Sequence, residues 1–225
     1  MIRSGGCLLA AVWCLAGALA AQSTPPSPAE QQISFKFDHS VPGVSVPRYT
    51  IQMRGDGTGS YHAEAIGAQS PDVQTFERPL VFSSSAMKNA FEAVHFIRSS
   101  SEPCASKAKN IADTGTKTLA YRDAEGEGAC TFNFSENKGA VQLTDLFQGI
   151  ELTLEEGRAL AFKHRFDRLG LDAEMEALVT AVADGRALEL GNIAPTLRSI
   201  AGDTELIQRV RLRAGKLLDQ AQAAP

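Results

Sequence analysis

The sequence predicts an α+β protein: an antiparallel sheet of about five or six strands covered by one helix, followed by a C-terminal helical region of three or four helices. Three observations predict it. Apolar and polar residues alternate in short runs separated by Gly-rich turns through much of residues 33–136. One serine-capped helical stretch interrupts them near residues 83–101. After Asn137 the apolar spacing changes from two to three and four, and it keeps that period to the end.

The chain opens on an export signal. Arg3 supplies a positive start, residues 8–19 form an apolar run, and Ala18-Leu19-Ala20 provides small residues for cleavage after Ala20. That run is too short for a bilayer, which takes ~20 residues, so the expectation is no membrane span after signal cleavage. The organisation expected is therefore residues 1–20 as signal peptide, 21–31 as a Pro/Ser-rich disordered linker, 32–136 as a disulfide-stapled α+β domain and 137–222 as the helical region.

The elements follow in order. Residues 33–37 make a first strand. Tyr49, Ile51 and Met53 then alternate with polar residues, as do Tyr61, Ala63 and Ala65, across the turn Gly55-Asp56-Gly57-Thr58-Gly59. A strand over 75–82 contains Pro79, which should place it at an edge or end it early. The serines 83–85 cap a helix bearing Met87, Ala90, Phe91, Val94 and Ile97. Leu119 and Tyr121, then Phe132 and Phe134, mark a second hairpin. Leu143, Leu146, Phe147, Ile150 and Leu154 stripe a helix that runs on towards His164 despite Gly157 and ends by Gly170. Asp172 is expected to cap the next helix, Pro195 to open a short one and Thr204 to cap the last.

Charge narrows the function classes. Cleavage leaves 22 basic side chains less Arg3 against 26 acidic ones, one unit more negative than the net −4 of the whole chain. Such a balance predicts no nucleic-acid partner, since phosphate binding calls for a basic face. It also leaves two of the four cysteines, Cys104 and Cys130, which an oxidising compartment should join as a disulfide. The pair has no CxxC spacing, and the four histidines show no HExxH pattern, so neither a metal nor another cofactor is predicted.

Each short motif has a plainer structural reading beside its functional one. Arg54-Gly55-Asp56 matches an adhesion tripeptide, yet Gly and Asp are also what a tight turn needs. Asp113-Thr114-Gly115 matches an aspartic-protease tripeptide in a single copy, where that chemistry takes two carboxylates. Asp123, Glu125 and Glu127 suggest a calcium loop, but Phe134 stands where a closing carboxylate belongs. Arg209, Arg213 and Lys216 share one face of the last helix and offer a docking surface for an anionic group.

The pattern Tyr49-x-Ile51-x-Met53-x-Gly55-Asp56-Gly57-x-Gly59-x-Tyr61 resembles the first hairpin of small secreted bacterial α+β domains of unknown function, over residues 48–135. That resemblance implies an α+β fold, and the export signal a periplasmic or extracellular location. It brings no activity and no catalytic residue. The reading that results is an exported, non-catalytic protein that binds an unknown protein or envelope component, with Arg54, Asp56, Arg209, Arg213 and Lys216 as possible binding residues and none assigned as catalytic. The alternative is a hydrolase-type enzyme whose site is assembled from residues distant in sequence, with His62, Glu64 and Asp113 as first candidates.

Overall fold

A computed structural model describes residues 30–39, 41, 46–66 and 73–223. The expected signal and nearly all of the expected linker lie outside them. Six strands form one antiparallel sheet: β1 (Gln32–Asp38), β2 (Arg48–Arg54), β3 (Thr58–Ile66), β4 (Val73–Val81), β5 (Thr116–Asp123) and β6 (Gly126–Phe132). Their order is β4-β3-β2-β1-β5-β6. The first strand is thus central, with Phe35 opposite Ile51 on one side and Leu119 on the other. Pro79 lies on the edge strand β4, where its missing N–H costs no ladder bond.

Helix α1 (Ser84–Ser99) carries the chain from edge β4 across to β5. Ser83 caps it, accepting from the Ala86 N–H at 3.1 Å. Strand alternation buries Ile33, Phe35, Tyr49, Ile51, Met53, Tyr61, Ala63 and Leu119 on one face. That face is covered mainly by α2 (Lys138–Phe166), a helix of 29 residues capped by Asn137. Phe147 stacks on Phe35 with ring centroids 5.4 Å apart, and Arg158 lies over the Phe76 ring. The helical region therefore packs on the sheet, and a single cluster of buried residues runs from Ile33 to Leu217.

Three helices and a 3-10 turn (Leu190–Ile193) pack behind α2: α3 (Leu171–Ala183), α4 (Ala194–Gly202) and α5 (Gln208–Ala223). Gly157 does not break α2, because its bare Cα is what lets Ile193 approach; a Cβ there would stand 2.3 Å from the Ile193 methyl. Asn192 closes the outer edge of the sheet. Its side chain accepts from the Val81 N–H and donates to the Val81 carbonyl, both at 2.9 Å, as a neighbouring strand would. Glu189, in the left-handed region at φ 57°, accepts from the backbone and hydroxyl of Ser83 and ties the same corner to α1.

Three expectations need correction. Asp172 does not cap α3, which starts after Gly170 without a side-chain cap; its carboxylate is engaged by arginines of α5 instead. Thr204 does not cap α5, because residues 203–207 form a turn and the helix starts at Gln208. Phe134 does not continue the inward face of β6. The strand ends at Phe132, the chain bends, and the Phe134 ring is 46 % exposed.

Cys104 and Cys130 are bonded, with Cα atoms 6.2 Å apart. The bridge fastens the segment leaving α1 to the edge strand β6. No helix among the described residues is long and apolar enough to cross a membrane.

Candidate functional site

The residues picked out by motif are occupied with holding their own turns. Asp56 accepts from the Thr58 N–H and hydroxyl at 2.9 and 2.7 Å, and these bonds hold its carboxyl below the usual carboxylate range. Arg54 reaches the same hydroxyl at 3.4 Å. Asp113 accepts from the Gly115 N–H, in a turn whose glycine has φ +85°. In the acidic hairpin turn, Arg98 stands where a calcium ion was suggested: it meets Asp123 at 2.5 Å, Glu125 at 3.4 Å and the Gly126 carbonyl at 2.6 Å. No cluster suited to a metal ion occurs among the described residues.

The basic face of α5 is largely spent within the protein. Arg209 pairs with Asp172 at 2.5 Å, and Arg213 bridges Asp172 and Glu176 at 3.1 and 2.6 Å. These arginines fasten α5 to α3, and Lys216 is left exposed beyond them. His62 is exposed on β3, and Glu64 of the same strand pairs with Arg48. Strands β2 and β1 separate both from Asp113 in the turn before β5, so the three candidates of the enzyme reading do not meet.

What the fold does assemble is a cleft of about 240 Å³ where the end of β6 turns into α2. Its apolar wall is Phe132, Phe134 and Val141; its polar wall is Thr114, Asn133, Thr144, Asp145 and Gln148. Lys117 lies at its base, only 5 % exposed. The Lys117 Nζ donates towards the Thr114 carbonyl (2.8 Å) and hydroxyl (2.9 Å), the Gly115 carbonyl (3.0 Å) and the Asn133 carbonyl (2.9 Å). Asn133 completes the knot: its side chain accepts from the Thr114 N–H and donates to the Ala112 carbonyl. Burial lowers the Lys117 pKa and nearby Asp113 opposes that fall. Its ammonium thus pins the loop before β5 to the exit of β6 and has no hydrogen left for chemistry.

Asp145, on the rim, is different. It is exposed, partial desolvation raises its pKa, and no hydrogen-bond or ion-pair partner faces it among the described residues.

Sequence reasoning missed both groups, although one signal was available. Lys117 shares the parity of buried Leu119 and half-buried Tyr121 in its strand, so the same alternation turns it inward.

A second titratable group lies under the middle of α2. Glu151 sits near Tyr49, Tyr61 and Glu155; Tyr61 donates to Glu155 at 3.3 Å, and Arg158 holds Glu155 from outside at 2.6 Å. Burial first, then the Glu155 charge, pushes Glu151 up to about 7, while both tyrosines are pushed up by burial. The folded carboxyl holds its proton above the unfolded value of 4.5, so its favourable contribution is complete below that pH and is lost as pH rises towards 7. Glu151→Gln should therefore leave stability nearly unchanged at pH 4.5 and raise it by about 2 kcal/mol at pH 8. Urea denaturation of both proteins across that range checks this; a difference that does not grow with pH contradicts it.

At the far end of α2, Phe162, Phe166 and Leu169 stand 60, 65 and 96 % exposed, with the two phenyl centroids 5.1 Å apart. No protein-family model matches this sequence, and no curated protein matches it. Function has to be read from the side chains themselves.

Proposed function

We propose that this is an exported binding protein without catalytic activity, which docks another protein or an envelope component through the cleft between β6 and α2. The observation that carries the reading is the state of the cleft's base. An ammonium surrounded by four oxygens within 3.0 Å supports a rigid recess, and it leaves the Lys117 amine itself neither nucleophile nor base. Two further observations favour a macromolecular partner. The recess has an exposed aromatic wall, and a separate apolar strip stands bare at the end of α2. Export is supported by the signal-like N-terminus, and the disulfide is compatible with it.

The test is differential capture. The immobilised protein and a Thr144→Arg variant, which places a long side chain in the recess, are incubated with an envelope fraction. The expected result is a partner retained by the first and lost from the second. Equal retention by both removes the cleft from the interface.

One observation favours the enzyme reading, namely Glu151 at about 7, since a carboxyl with that pKa can exchange protons at neutral pH. Hydrolysis of any ester, amide or glycoside by the wild type, abolished in Glu151→Gln, would replace the binding reading.

A further inference from the structure

The two edges of the sheet are not alike. At β4, Pro79 removes one donor and the Asn192 side chain takes both backbone groups of Val81, so that edge is closed to a further strand. At β6 nothing comparable occurs among the described residues. The two-residue turn after Asp123 makes Asp123 and Gly126 a hydrogen-bonded pair, so Glu127, Ala129 and Thr131 turn their N–H and C=O groups away from β5. The Thr118 and Thr131 hydroxyls agree with this, standing 3.1 Å apart as side chains do at a non-hydrogen-bonded pair. All three outward residues are exposed, and their backbone groups meet nothing else among the described residues. The charge that guards such an edge is weak here, because Glu127 lies back on Arg122 at 3.1 Å.

We infer that β6 pairs antiparallel with β6 of a second copy of this chain, about a two-fold axis at Ala129, joining two sheets into one. The strand Gly126–Phe132 is self-complementary about that residue. Ala129 stands opposite the partner's Ala129 and Glu127 opposite the partner's Thr131, so no like charges face each other. On the inner face Gly126 meets the partner's Phe132 and Gly128 the partner's Cys130, so no two bulky side chains collide. Three pairs, each exchanging two backbone bonds, give about six hydrogen bonds. The ends of the strand match as well. At the hairpin turn the carboxylates of Asp123, Glu125 and Glu127 share the arginines Arg98 and Arg122, with His95 beside Glu125. At the other end the Ser106 N–H holds the Phe134 carbonyl, and exposed Lys107 and Lys109 follow, in no ion pair among the described residues. An antiparallel two-fold lays each acidic turn beside the other copy's basic loop. An unrelated extended peptide would find the same open backbone but would not carry this matching order of size and charge. The pairing does not depend on what the cleft binds.

The test is charge reversal at the axis, with self-association of the mature, oxidised protein followed by sedimentation velocity. The wild type should form a concentration-dependent dimer. Ala129→Lys and Ala129→Glu each place like charges face to face, so each alone should dimerise at least about tenfold more weakly. An equal mixture of the two should recover the dimer, since only a two-fold at this residue sets the lysine against the glutamate. Ala129 is exposed, and unchanged melting of the dilute variants shows that they fold. In the wild type, amide exchange at Glu127, Ala129 and Thr131 should slow as the dimer forms. A monomer at every concentration overturns the inference. So does a dimer that tolerates both variants, or one that the mixture fails to restore. A monomeric wild type whose Ala129 variants lose an envelope partner gives the edge to another protein's strand and discards the second copy.

Discussion

Lys117→Met is expected to lower the stability of the fold by about 3–5 kcal/mol, the range found when one member of a buried charged set is removed and its partners stay behind. The magnitude follows from what the substitution abandons. Methionine fills the methylene volume beside the Phe37 ring, over which the ammonium now sits at 5.7 Å, so little packing is lost. The carbonyls of Thr114, Gly115 and Asn133 keep their places without their shared donor, and orphaned buried acceptors cost about 1–3 kcal/mol each. In a domain of this size that should lower the melting temperature by about 10 °C. Lys117→Arg is the informative control, because a planar guanidinium cannot bring its donors to four oxygens arranged around a single point. Arginine should recover the charge but only part of the stability. Hydrogen exchange should rise first in residues 112–118 and 131–134, which the ammonium holds together. A loss below 1 kcal/mol with unchanged exchange there would mean that the ammonium is not structural, and the cleft would then regain a reactive amine.

Much of this fold could be read from spacing because its elements are decided locally. Tyr49, Ile51 and Met53 alternate with polar residues and are buried for that reason; Leu143, Phe147, Ile150 and Leu154 stripe α2 and are buried, with Phe147 stacked on Phe35 of the sheet. Capping serines and turn glycines placed α1 and the first hairpin. What the spacing could not supply was the partner of each charged group. Asp172 has the composition and position of a cap, and only the packing of α5 against α3 shows it to be the acceptor for Arg209 and Arg213. Those two arginines were a plausible exposed basic face for the same reason: their counter-charges lie 37 to 41 residues away in sequence. Asp145 is still less visible. Nothing in the run around it distinguishes it from Glu151 or Glu155, and its isolation emerges only when the turn at Asn133 brings Phe134 beside it.

Removal of the disulfide, by Cys104→Ala with Cys130→Ala, should cost about 3.5 kcal/mol, the loop-closure value for a separation of 26 residues. The cost should fall on one corner of the fold. Cys130 is on β6, an edge strand whose only ladder partner in the sheet is β5, and Cys104 begins the segment that crosses from α1 to β5. Apart from the bridge, that crossing is held by the Ser106 N–H on the Phe134 carbonyl, the Asn137 side chain on the Glu102 carbonyl, and the Asn133 and Lys117 contacts. The two large effects are therefore coupled, since both restrain the same segment against the same strand end. Once the bridge is gone the segment is already loosened, and Lys117→Met should cost less in the cysteine-free protein than in the wild type. A double-mutant cycle measured by urea denaturation at pH 7 should give a coupling of about 1 kcal/mol. Strict additivity would separate the bridge from the cleft and leave the disulfide as a general restraint on the unfolded chain. Coupling would make it the device that also holds the loop beside the cleft in place.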